Sequence, residues 1–115
     1  MKKFAAFVFI IFSSLIWVNR AQAQKVYSAD SKYDADVKVF VADSKYDADL
    51  TVYKCSSQYD ATGNDGLWFF VSSKYDANKK IFFVDSKYDA DLIIYFVDSK
   101  YDAGWRNSSK KQLMY

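Results

Sequence analysis

Apolar residues return along this chain in short runs, and each run is followed by a similar polar block. The runs are five to seven positions long and are rich in β-branched and aromatic residues. Such composition is typical of pleated strands, and the runs are short for helices. The pattern predicts strands at 37–42, 50–55, 67–72, 80–84 and 92–97.

Alignment of the runs shows two neighbouring apolar columns. The first column holds Val26, Val39, Val52, Trp68, Ile81 and Ile94. The next column is aromatic in every copy and holds Tyr27, Phe40, Tyr53, Phe69, Phe82 and Tyr95. A strand with one face in water would alternate strictly between apolar and polar residues. We therefore expect strands that are enclosed on two sides near the middle, or strands that are bent by a bulge.

The polar block is Ser-Lys-Tyr-Asp-Ala, and it recurs every 13 residues apart from one step of 16. The copies begin at Ser31, Ser44, Ser57, Ser73, Ser86 and Ser99, and the third has Gln58 in place of lysine. The block contains no glycine, which tight hairpin turns favour. Its serine and aspartate are instead expected to bond their own backbone or to cap one short helical turn.

The links between the predicted strands pose a problem of connectivity. Six or seven residues are too few for an ordinary crossover between adjacent parallel strands, which needs about a dozen. The scarcity of hairpin signals argues against a simple meander, and a tight β-solenoid remains an alternative. The repeat therefore predicts an all-β fold, a closed or coiled ring of six to seven short strands, as a single domain at 24–115.

The first 23 residues have the pattern of a secretory leader. Lys2 and Lys3 precede an apolar run at 4–18, and Ala21-Gln22-Ala23 supplies small residues for cleavage. The run falls short of the roughly 20 residues that a spanning helix needs. We expect residues 1–23 to be a cleaved signal peptide and the mature chain to have no membrane span. The protein would then be periplasmic or extracellular.

Charge and cysteine content narrow the functional classes. Without residues 1–23 the chain has 13 basic and 14 acidic side chains, and every acid is aspartate. This balance does not favour a nucleic-acid partner. The one cysteine, Cys55, aligns with alanine and valine in the other copies, so we expect a small buried residue rather than a reactive thiol.

No residue pattern points to catalysis, to a metal or to a cofactor. The chain has no histidine, and the paired aspartates recur in several copies, whereas an active site is normally unique. The aspartates also lack the spacing of a calcium loop, so turn caps and Asp–Lys pairs are the favoured interpretation. We expect a protein that is not an enzyme.

The candidate binding residues are the repeated tyrosines together with Trp105 and Arg106. The tyrosines are Tyr33, Tyr46, Tyr59, Tyr75, Tyr88 and Tyr101. Aromatic rings in a repeated array would suit a carbohydrate or a peptide. The favoured alternative is a ladder of tyrosines packed between neighbouring turns. The basic tail with Trp105, Arg106, Lys110 and Lys111 could also contact an anionic envelope surface. The favoured alternative is a solvated run in which Trp105 fills the apolar column of the last repeat.

Two functional hypotheses follow for an exported module of this kind. The favoured one is a structural or protective module at the cell envelope. The alternative is a binding module for an envelope glycan or protein, which would use the repeated tyrosines. The two hypotheses are discriminated by whether the six tyrosines are exposed in one contiguous patch.

The repeat and the ending Ala103-Gly104-Trp105-Arg106-Asn107 resemble the septoil-knot domain family. These are small bacterial proteins whose chain winds into a seven-crossing torus knot of short β-strands. The resemblance extends from Val26 to Tyr115 and implies a deeply knotted fold, but it implies no activity. The three extra residues at 63–65 depart from the spacing, and we expect them to form a surface bulge.

Overall fold

A computed structural model describes residues 24–115, so the predicted leader at 1–23 lies outside the described residues. The strands are β1 (Lys25–Ser28), β2 (Val37–Val41), β3 (Leu50–Lys54), β4 (Leu67–Phe70), β5 (Lys79–Phe83), β6 (Leu92–Val97) and β7 (Gly104–Trp105). The five predicted strands are confirmed, with ends that differ by one or two residues. Among the described residues, no helix is long and apolar enough to cross a membrane.

Six of the strands form a closed parallel barrel in the order β4-β1-β5-β2-β6-β3, and β3 pairs back with β4. Each strand is displaced by two residues from its neighbour, as in the opposed pairs Val26–Lys79, Ile81–Val37, Val39–Leu92 and Ile94–Leu50. Because the displacement is uniform, equivalent positions of the repeat lie at the same height. The predicted ring of short strands is confirmed.

The barrel interior is built in layers from these equivalent positions. The middle layer is the first apolar column of the sequence, and its six side chains are all 0% exposed. Val37, Leu50 and Leu92 form much of the layer towards the amino ends of the strands and are also buried. Burial of each such side chain contributes about 1.5 to 3 kcal/mol. The second, aromatic column lies on the outer face and is half-buried.

The links pass over one strand instead of returning along it. After β1, the Ala29 N–H donates to the Ile81 carbonyl on one side of β5. After the turn, the Asp36 N–H donates to the Lys80 carbonyl on the other side of β5. Six residues, 30–35, are enough for this step because they cross only the width of one strand. This geometry covers the outer face of the strand, as the two apolar columns predicted.

Every link contains one 3-10 turn, and each turn lies over one strand. The turns are T1 (Lys32–Asp34), T2 (Lys45–Asp47), T3 (Gln58–Asp60), T4 (Lys74–Asp76), T5 (Lys87–Asp89) and T6 (Lys100–Asp102). T1 crosses β5, T2 crosses β6, T4 crosses β1, T5 crosses β2, T6 lies over β3 and T3 lies over β4. All six barrel strands are thus covered from outside.

The path of the chain is that of a torus winding. In the seven-membered order β4-β1-β5-β2-β6-β3-β7, consecutive strands stand two places apart. β7 lies beside β3 on the outside, and β3 also pairs directly with β4 to close the barrel. In each repeat, the strand is therefore covered by a turn from elsewhere in the chain, and the turn covers a different strand. Advancing two places at a time around seven places winds the chain twice, as in a seven-crossing torus knot. True knots are otherwise rare in proteins.

In four of the six links, the residue that follows the block fastens the link to the strand that it crosses. Asp91 donates its N–H to the Lys38 carbonyl, and its carboxylate accepts the Lys38 N–H at 2.9 Å. The same two-bond clamp joins Asp36 to Lys80, Asp49 to Ile93 and Asn78 to Lys25. Asparagine at the fourth clamp shows that an acceptor oxygen is needed and that charge is not.

The final 3-10 helix, Ser108–Met114, closes the amino end of the barrel. Met114 is buried, and its carbonyl accepts from Gln24 Nε2 at 2.9 Å. The extra residues at 63–65 do more than form the predicted surface bulge. Gly63 and Asp65 are exposed, but Asn64 is buried and donates to the Lys111 carbonyl at 2.9 Å. The insertion therefore holds the final helix in place.

The clamp predicts a stability difference between two aspartates of one link. Asp91→Ala removes the acceptor of the Lys38 N–H and should lower the free energy of unfolding by about 1 kcal/mol. Asp89→Ala should change it by less than about 0.5 kcal/mol, because the Asp89 side chain is exposed. Asp91→Asn should retain most of the stability. Urea melts compare the variants, and equal losses for Asp91→Ala and Asp89→Ala would contradict the clamp.

Candidate functional site: a tyrosine belt and an adjoining groove

Each turn is fixed by its serine, as the sequence predicted. The serine backbone is extended, and its Oγ accepts the N–H of the tyrosine two residues later at 3.2–3.3 Å in all six copies. The aspartate N–H then donates to the serine carbonyl, and the alanine N–H donates to the carbonyl that follows the serine. The block is therefore a capped single turn that holds its tyrosine at a fixed position.

The six tyrosines of the turns, here called the tyrosine belt, point into solvent. Their exposed fractions run from 74% for Tyr46 to 87% for Tyr33, Tyr75 and Tyr88. The predicted ladder of packed tyrosines is therefore wrong. Each turn lies on the outside of the barrel over one strand, and the high exposed fractions show that the rings do not pack between neighbouring turns. The belt encircles the barrel in the order Tyr75, Tyr33, Tyr88, Tyr46, Tyr101 and Tyr59.

A lysine ammonium lies beside the ring of five of the six tyrosines. The ammonium is 5.3–5.4 Å from the ring centroid in each of these pairs. The Asp–Lys pairs that the sequence predicted within the block are not formed. The ion pairs among residues 24–115 are Lys110–Asp49 at 3.2 Å and Lys111–Asp65 at 3.9 Å. Five copies thus present an exposed aromatic ring with a cation at its side, and the third copy, with Gln58, presents the ring alone.

One tyrosine of the belt borders a groove of about 690 Å³. The groove lies between T2, the carboxyl end of β6 and β7, and its aromatic lining comes from Tyr46, Tyr95, Phe96 and Trp105. The Arg106 guanidinium stands 5.5 Å from the centre of the Tyr46 ring. Three predicted binding residues, Tyr46, Trp105 and Arg106, therefore meet here. The other five tyrosines do not line this groove.

The groove carries charged groups of both signs. Its acids are Asp43, Asp98 and Asp102, and its cations are Lys45 and Arg106. Neither cation forms an ion pair among the described residues, so the guanidinium N–H groups are free to bind a ligand. The Thr51 hydroxyl donates to the Asp102 carbonyl at 2.8 Å, and the Trp105 indole N–H donates to the Asn64 carbonyl at 2.7 Å. These bonds fix the β7 wall of the groove.

The basic residues near the end of the chain separate into two places. Trp105 and Arg106 line the groove, whereas Lys110 and Lys111 belong to the final helix. Lys110 donates to the Asp49 carboxylate, which also accepts the Ile93 N–H. The side chain of Lys110 therefore anchors the helix. The predicted contact of this region with an anionic surface remains a prediction.

Cys55 is buried, as predicted, and its N–H donates to the Trp68 carbonyl. Burial raises the pKa of the thiol, the Asp60 carboxylate raises it further, and Lys100 acts in the opposite sense. Within residues 24–115, no three acidic or thiol side chains converge in a way that could hold a metal ion.

Comparison with known proteins gives one match. The family model described as the 7(1) septoil knot domain matches residues 23–106, which include all six tyrosine turns, Trp105 and Arg106. No curated protein and no solved structure matches the chain.

The exposure of the belt predicts that its tyrosines contribute little to stability. Tyr88→Ala should change the free energy of unfolding by less than about 0.5 kcal/mol. Trp68→Ala, in the middle layer, should lower it by about 3 to 5 kcal/mol. Denaturant melts measure both values. A loss above about 2 kcal/mol for Tyr88→Ala would show that the ring packs against the barrel.

The raised pKa of Cys55 predicts slow reaction with thiol reagents. At pH 8 a raised pKa lowers the thiolate fraction, and burial also restricts access, so an aromatic disulfide reagent should react about tenfold more slowly than with free cysteine. The rate should approach that of free cysteine in denaturant. Equal rates in the folded and unfolded protein would contradict this prediction.

Proposed function

The chain belongs to the septoil knot domain family, and we propose that this member is a saccharide-binding module whose primary site is the groove beside T2. The observation that carries the proposal is the meeting of Tyr46, Trp105 and Arg106 at one open groove. Five tyrosine turns lack these two partners. The groove therefore distinguishes one copy of the repeat from the rest, as a specific binding site requires.

The chemistry of the groove suits a hydroxyl-rich, neutral sugar. Aromatic rings such as Tyr46 and Tyr95 offer flat apolar surfaces on which the C–H face of a sugar ring can stack. Sugar hydroxyls both donate and accept hydrogen bonds, and the groove provides carboxylates as acceptors and Arg106 as a donor. An anionic ligand would be repelled by the carboxylates of the groove, and a cationic ligand would be repelled by its lysine and arginine.

The surface charge around the belt argues against a polyanionic ligand. Thirteen of the 14 aspartates lie within the six turns or at their ends, together with only five lysines. A nucleic acid or another polyanion would meet this negative surface on approach. A neutral polymer would not, and the other five tyrosines could supply weak secondary contacts to such a chain.

The setting of this function follows from the predicted leader. A protein exported by residues 1–23 would act in the periplasm or outside the cell, where an envelope glycan is an available ligand. The module would act by binding, with no catalytic residue, cofactor or resident metal. No membrane span is proposed for the processed chain.

A structural or protective role at the envelope is the second candidate. The observation that favours it is the winding of the chain, in which each strand is held beneath a turn of another repeat. Such a path would resist local opening and proteolysis whether or not a ligand is bound. This role does not require exposed tyrosines, which is why we place it second.

The proposal predicts a selective loss of binding. The mature protein, Gln24 onward, should bind neutral glycans on an array, and Tyr46→Ala or Arg106→Ala should weaken that binding by about tenfold or more. Tyr33→Ala is the matched control, because Tyr33 lies in an equivalent turn away from the groove. It should retain binding within about twofold. Absence of glycan binding, or equal losses for Tyr33→Ala and Tyr46→Ala, would refute the groove as the site.

A further inference from the structure

The two ends of the barrel differ in what covers them. Because the six strands are parallel, all their carboxyl ends lie at one edge, where ligands of parallel sheets often bind. The inner layer at this edge, here called the carboxyl face, consists of Ser28, Val41, Lys54, Phe70, Phe83 and Phe96. At the amino end the final helix covers the interior. Within residues 24–115, no helix covers the carboxyl face.

Part of the carboxyl face is closed by its own side chains. Phe70 and Phe96 pack against the core, and the Phe70 ring meets the Trp68 ring edge to face at 6.1 Å. The Lys54 ammonium lies 4.3 Å from the centre of the Phe96 ring and 5.9 Å from that of Phe70. Its charge is therefore placed over these two rings, on the side of β3 and β4.

The opposite part of the carboxyl face is apolar and open. Phe83 on β5 is 36% exposed and Val41 on β2 is 37% exposed, and these strands are neighbours in the ring. The corresponding side chains of the middle layer, Ile81 and Val39, are 0% exposed. Exposed apolar surface beside polar residues is a common mark of an interaction site.

Four carboxylates border this open part as an arc. Asp30, Asp85, Asp43 and Asp98 stand two residues beyond the carboxyl face on β1, β5, β2 and β6, which are consecutive around the ring. All four residues are exposed, and none forms an ion pair or a side-chain hydrogen bond within residues 24–115. Their counterparts after β3 and β4 are Ser56 and Ser72. The negative charge is therefore concentrated on the side that carries Phe83 and Val41.

From this arrangement we propose that the carboxyl face docks a peptide segment in which a bulky apolar side chain stands between basic residues. The apolar side chain would cover Phe83 and Val41, and the basic residues would pair with the aspartates of the arc. A second copy of this chain would bring two acidic arcs together, and an anionic lipid surface would meet the same repulsion. The apolar part of this site, Phe83 and Val41, lies outside the groove, whereas two carboxylates of the arc, Asp43 and Asp98, line both sites.

The test uses fluorescent peptides and fluorescence anisotropy on the protein from Gln24 onward. A lysine–phenylalanine peptide, KFKFK, should bind, with an affinity that falls as salt is added. A glutamate counterpart, EFEFE, should not bind. A serine counterpart, KSKSK, should bind about tenfold more weakly, because it lacks the apolar side chains. Absence of KFKFK binding, or equal binding of KFKFK and KSKSK, would overturn the proposal.

Matched variants separate docking from general attraction to an acidic protein. The double variant Asp30→Asn with Asp85→Asn removes two carboxylates of the arc that do not line the groove. It should weaken KFKFK binding by about tenfold. The control, Asp34→Asn with Asp89→Asn, removes the same charge from exposed positions within T1 and T5. It should keep the affinity within about twofold. Equal losses in the two double variants would overturn the proposal.

A third variant tests the apolar part of the face. Phe83→Ser should abolish KFKFK binding, with a melt to verify that the barrel remains folded. Tyr46→Ala should leave KFKFK binding unchanged, because Tyr46 belongs to the groove. If the protein binds KFKFK but no neutral glycan, the groove proposal alone fails. If it binds a neutral glycan but not KFKFK, the carboxyl-face proposal alone fails. Full KFKFK binding by folded Phe83→Ser would overturn the docking site.

Discussion

The fold depends on how a short link crosses one strand. The link leaves one side of the crossed strand at Ala29 and rejoins it on the other side at Asp36, so its backbone bonds the same strand twice. These bonds satisfy groups that would otherwise lose their partners as the chain leaves the sheet. The carboxylate of Asp36 adds a third bond to that strand, at 3.0 Å. The links that contain T1, T2, T4 and T5 all cross in this way, and they interweave the strands of the barrel.

Much of this fold could be predicted from the sequence, because the repeat fixes local structure strongly. The apolar column from Val26 to Ile94 forms the fully buried middle layer, and each serine caps its turn. The burial of Cys55 could be predicted because the equivalent positions of the other repeats hold alanine or valine. What spacing could not reveal was the order of strands around the ring. That order depends on long-range pairing, such as β1 with β5, and the family resemblance supplied the winding.

The exposure of the tyrosines could not be predicted from the repeat either. Identical tyrosines in equivalent units fit a packed ladder and an exposed belt equally well. The structure places each turn on the outside of the barrel, and its ring faces solvent. The groove also escaped prediction, because it requires Arg106 to meet Tyr46 across 60 positions of sequence. Asn64 was missed for a related reason, since its partner Lys111 lies at the other end of the domain.

The crossing geometry also bears on how this surface could bind. Turns on protein surfaces are usually among the more mobile segments, and ordering them on binding costs affinity. Here T1, T2, T4 and T5 are each bonded on both sides to the strand beneath them, and each tyrosine is positioned by a serine cap. A turn cannot move away from the barrel without loss of these bonds. The interwoven path therefore acts as a source of rigidity for exposed aromatic rings, and a structural role and a binding role need not be alternatives in this protein.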